Sequence, residues 1–164
     1  MPDATQPHHG NQDRWLRLGV PIGAGLFILA LLISAVVVPP IRRLHFFQAL
    51  IYVAVILLAR RRSAWGLGAG VAIAIVWNSL QLFVTHLMQS GAALIWLFLR
   101  TGQVRRLETM MVAMGWAGHC VLIVSCAMAM VRAGSSRREW GRFAGGAVLV
   151  LVYFGIIVAT LLPP

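Results

Sequence analysis

The sequence predicts an all-α polytopic membrane protein, a bundle of about five transmembrane helices with one long or kinked central helix. Three observations carry that prediction. Of the 164 residues, 60% are hydrophobic and 11% are charged, against about 45–50% and about 25% in an average soluble domain. Apolar runs recur along the chain, each near the roughly 20 residues a helix needs to cross the hydrocarbon. The charges are confined to the N-terminal tail, the span ends and the gaps between runs.

Residues 1–16, MPDATQPHHGNQDRWL, are polar and contain two Pro and a Gly. They read as a disordered tail, and residues 17–164 as a single transmembrane helical domain. Leu18–Val38 is the first span, 21 residues without a charge. It is too long for a signal-peptide core and no cleavage pattern follows it, so it is expected to be retained. Pro21 is placed in its first turn, where a missing N–H matters little. Pro39-Pro40 ends it. Ile41–Ala59 is the second span. Its uncharged part, Leu44–Ala59, is only ~24 Å long, so Arg42 and Arg43 must reach outward from its first turn. His45 and Gln48 lie near that end, and Arg60–Arg62 close the span.

The third stretch runs from Trp65 to Leu99, 35 residues. As one helix it would be ~52 Å long, against a hydrocarbon core of about 30 Å. A re-entrant hairpin would need turn residues near its middle, and LQLFVT at 80–85 contains none. One long tilted helix, bent near Gly91, is therefore expected. Arg100–Glu108 is a loop and Thr109–Val131 the fourth span. Arg132–Arg142 is a loop, and Phe143–Leu162 the fifth span.

The net charge is +10, and all fourteen basic residues are Arg. No basic domain stands outside the bilayer, so nucleic acid is not an expected partner. Lipid is, with anionic headgroups at the Arg-rich loops. Five spans put nine Arg on the side of the tail and five on the other. The positive-inside rule then places the N-terminus in the cytoplasm and the C-terminus outside, in a membrane expected to be the bacterial inner membrane.

Asn78, Gln81, Thr85 and Gln89 follow i, i+3, i+7, i+11 spacing. At about 100° per residue they share one helix face. Hydrocarbon offers such groups no hydrogen-bond partner, so the stripe is either a seam joining helices or the wall of a substrate path. His86 and His119, on different spans, are candidate ligands for haem b or copper. The fourth span adds five Met and two Cys, soft donors suited to Cu(I), although Met also fills apolar cores. Cys120 and Cys126 are i and i+6, pointing apart, so no disulfide forms within this helix. Gly115, Gly118, Ser125 and Ala129 share one side of the same span and form a close-packing face.

The four acids, Asp3, Asp13, Glu108 and Glu139, all lie in the tail or loops. Paired-carboxylate catalysis thus has no candidate, and the chain is not expected to be an enzyme. The expected function is a non-catalytic structural or accessory subunit of a membrane assembly, partnered by other subunits or by itself. Two alternatives stand beside it: a small oligomeric transporter or channel using the Asn78–Gln89 stripe, and a haem b or copper redox protein using His86 and His119.

Overall fold

A computed structural model describes residues 9–133 and 135–161. The chain is all-helical, about 90% helix with no strand among the described residues. Six helices follow in order: α1 His9–Val37, α2 Arg42–Arg60, α3 Ala64–Ser79, α4 Leu87–Thr101, α5 Leu107–Arg132 and α6 Arg137–Leu161. Among the described residues, five segments are long and apolar enough to cross a membrane: Leu18–Val37, Pro39–Arg60, Ala64–Val84, Thr109–Arg132 and Arg137–Leu161. The short α4 is not among them.

Local chemistry sets the boundaries. Pro39 and Pro40 cannot continue α1, and form a 3-10 turn, Pro39–Ile41, that leads into α2. Arg42 spans this turn, its Nε donating to the Ala35 carbonyl at 3.1 Å. A three-residue link joins α2 to α3, with Arg62 in the left-handed region at φ 54°, so the two helices pack antiparallel. Ser136 and Glu139 form a capping box at the start of α6. The Ser136 N–H donates to Glu139 Oε2 at 2.9 Å and the Glu139 N–H to Ser136 Oγ at 3.3 Å. α1 reaches back to His9, so Pro21 lies in its interior rather than in a first turn.

The central stretch is where the structure departs most from expectation. The helix does not run on to a bend near Gly91. It ends at Ser79, continues as a π-helical turn over Leu80–Val84, and breaks at Thr85 and His86, with His86 left-handed at φ 52°. The Thr85 N–H reaches back to the Leu80 carbonyl at 3.0 Å, an i→i−5 bond that widens the turn. His is among the few non-glycine residues enriched in the left-handed region. Ending the span at Val84 leaves 21 residues, ~32 Å of helix, which matches the hydrocarbon far better than ~52 Å would. Gly91 serves packing instead. A Cβ there would press on the Thr109 carbonyl and lie 3.0 Å from Ala113 Cβ, so it lets α4 settle on the start of α5.

Two glycine-lined contacts organise the rest. Along α1 and α5, a Cβ on Gly23 would sit 2.6 Å from the Gly118 carbonyl oxygen and 2.8 Å from the Leu122 nitrogen. Only bare backbone permits so close an approach. Along α3 and α6, Gly68 faces the Phe143 backbone and Gly146 the Trp65 backbone. α2 packs between these pairs. The core they enclose includes Phe27, Tyr52, Val55, Ile73, Leu122 and Cys126.

Candidate functional site

The centre of the bundle is built on His119. Its neighbour Gly118 lets α5 close on α1, and this brings the imidazole inside, fully buried. Phe27 of α1 stacks on the ring, centroids 3.9 Å apart and planes 29° apart. Tyr52 of α2 lies on the same cluster, 4.7 Å from the Phe27 ring. The imidazole then makes two hydrogen bonds in opposite directions. Asn78 Oδ1 of α3 lies 2.8 Å from Nδ1. That oxygen can only accept, so Nδ1 carries the proton. Nε2 is then an acceptor, and the Tyr52 hydroxyl, 2.8 Å away, donates to it. One neutral histidine thus ties α2 and α3 to α5 while stacking on α1. Trp77 continues the aromatic cluster to Phe154 of α6, 5.6 Å away and edge-on.

Other buried polar atoms of the bundle are left without a partner among the described residues. Gln48, one turn before Tyr52, is 1% exposed, and neither amide atom has a partner among the described residues. The same holds for Gln81 Oε1, His45 Nδ1 and Trp77 Nε1. His45, Gln48 and Tyr52 are spaced i, i+3, i+7, so α2 carries a polar stripe of its own. Tyr52 and Phe27 were not singled out in the sequence, although that spacing on α2 could have found Tyr52.

The stripe predicted on one helix is divided by the backbone. Asn78 and Gln81 turn inward, half-buried and buried. Thr85 and Gln89 are exposed beyond the π turn. The Thr85 hydroxyl donates to the Gln81 carbonyl at 3.4 Å, and Gln89 Nε2 to the Leu82 carbonyl at 3.3 Å. The face assumed an unbroken α-helix, and the widened turn and left-handed residue destroy that register.

The two histidines named as haem or copper candidates lie in different settings. His86 is exposed at the break, and its carbonyl accepts from Ser90 Oγ at 3.3 Å. His119 has both ring nitrogens in hydrogen bonds, so it offers no free lone pair to a metal. Among the described residues no three His, Cys, Asp or Glu side chains converge as a metal site. The methionines of α5 are spread out: Met110 and Met111 pack with Ala30 and α4, Met130 is in the main core and Met128 is exposed. Cys120 and Cys126 are free thiols.

The four residues of the close-packing face all meet other elements. Gly115 lies against Phe27 and Ala30, Gly118 against Gly23 and Leu26, and Ser125 against Gly19. Ala129 packs on the main core. No known protein family, characterised protein or solved structure matches the chain.

Proposed function

We propose that the protein is a non-catalytic structural or accessory component of a membrane assembly. The observation that carries this reading is the full engagement of His119. The best-placed polar residues inside the bundle are used to join α2, α3 and α5, which is the work of a helix seam. No carboxylate of the sequence lies mid-span, so proton-transfer chemistry lacks its usual group. A second reading, a small oligomeric transporter, draws on Gln48 and Gln81, whose unpartnered buried atoms suit water or a passing polar solute.

The double variant Asn78→Leu with Gln81→Leu separates the two. As a seam, the pair loses thermal stability and assembly together, with no separate functional loss. As a path, the pair stays folded in proteoliposomes and loses solute flux. A visible spectrum of the purified protein tests the redox reading, and no Soret band is expected. We further propose the bacterial inner membrane, with the N-terminus cytoplasmic, on the nine-to-five division of Arg. A reporter after Pro164 then reads as external and one within 132–142 as cytoplasmic. The reverse pair of signals refutes that orientation.

A further inference from the structure

A cleft of about 390 Å³ opens between α4 and the start of α5, lined by Ser90, Ala93, Leu94, Arg105, Arg106 and Thr109. We infer that it binds a phosphate group of net negative charge, supplied by an anionic phospholipid headgroup or by free phosphate. This goes beyond the structural reading above and does not depend on it.

Four features of the cleft converge on that ligand. The first is electrostatic. The N-terminus of the 26-residue α5 carries roughly half a positive charge from its aligned peptides. Arg105 and Arg106 stand at that same end, where the dipole favours an anion and disfavours a cation. The segment Arg100–Glu108 holds three Arg against one Glu, so it remains net positive. The second is capping. Arg106, the N-cap residue, makes no side-chain cap bond, so amide donors of the first turn are left for a ligand. The third is Thr109. It is 7% exposed, lines the cleft, and its hydroxyl has no hydrogen-bond partner among the described residues. The hydroxyl of this cleft-lining residue is placed to donate to an oxyanion beside Arg105 and Arg106. The fourth is position. A candidate span begins at Thr109, which puts the cleft at the membrane edge, the depth of lipid phosphates. Ala93 and Leu94 give the cleft an apolar wall for the acyl chains.

Native mass spectrometry of the full chain in detergent tests the site, with phosphatidylglycerol, phosphatidylcholine and inorganic phosphate as separate probes. The variant is Arg105→Gln with Arg106→Asn. Arg106 is left-handed at φ 48°, a conformation Asn tolerates, and Asn is a preferred N-cap, so folding is preserved. Retention of phosphatidylglycerol over phosphatidylcholine is expected, about tenfold weaker in the variant and weakened also in Thr109→Val. The control Arg137→Gln with Arg138→Gln removes equal charge from the first turn of α6 and should leave binding unchanged. If inorganic phosphate alone binds, with the same dependence on Arg105, Arg106 and Thr109, the site stands and its source is the free anion. If no probe binds, or the control variant weakens binding as much, the attraction is diffuse charge and the site is refuted.

Discussion

Asn78 and Gln89 are both amide side chains on the stretch from Trp65 to Arg100, yet they lead different lives. Asn78 lies on the straight part of α3 and holds His119 at 2.8 Å. Gln89 lies past the break, exposed, and reaches only its own chain at Leu82. Residue type does not separate them. The backbone between them does, through the π turn and the left-handed His86. In the first half a polar group is inside and must find a partner. In the second half the chain has left the span, and a polar group carries little energetic consequence. The energetics of the stretch should therefore fall away sharply on crossing Thr85.

The largest effect is expected at the hub of the buried half. His119→Leu leaves both the Tyr52 hydroxyl and the Asn78 amide without a partner, a loss of about 3 kcal/mol. Thermal unfolding in detergent measures it, and a change below about 0.5 kcal/mol would erase the contrast between the halves. Next, Asn78→Leu should destabilise by about 1 kcal/mol, in the range of membrane-protein hydrogen bonds. Gln81→Leu, three residues on, should be neutral or stabilising, because its Oε1 has no partner to lose. Equal losses at the two positions would show that Gln81 shares in the seam with Asn78 and would remove its use as an unpartnered pathway group.

Across the break the signs change. His86→Gly should stabilise by about 0.5–1 kcal/mol, since glycine relieves the left-handed strain. A loss of stability there would mean that the His86 side chain has work of its own. Last, Gln89→Ala should shift stability by no more than about 0.5 kcal/mol, as an exposed substitution does.

Composition and run length alone were enough for the membrane class, the five spans and the helix ends at Pro39-Pro40 and Arg60–Arg62. These depend on the transfer of whole segments from water to hydrocarbon, a sum that no single side chain alters much. Spacing on a straight helix groups Gly115, Gly118 and Ser125 on one side of α5, and in the structure all three lie against α1. It failed on the Asn78–Gln89 stripe, because periodicity presumes the backbone it is used to infer. Nothing in LQLFVT marks a π turn, and the excess of ~52 Å over the bilayer signalled a break without locating it. The partner of His119 belongs wholly to tertiary structure. Tyr52 and Asn78 lie 67 and 41 residues away from it in sequence, and only the close approach of α1 to α5, with α2 and α3 laid alongside, brings the three side chains within hydrogen-bond reach. A hydrogen bond is decided over tenths of an ångström, and that precision comes from packing.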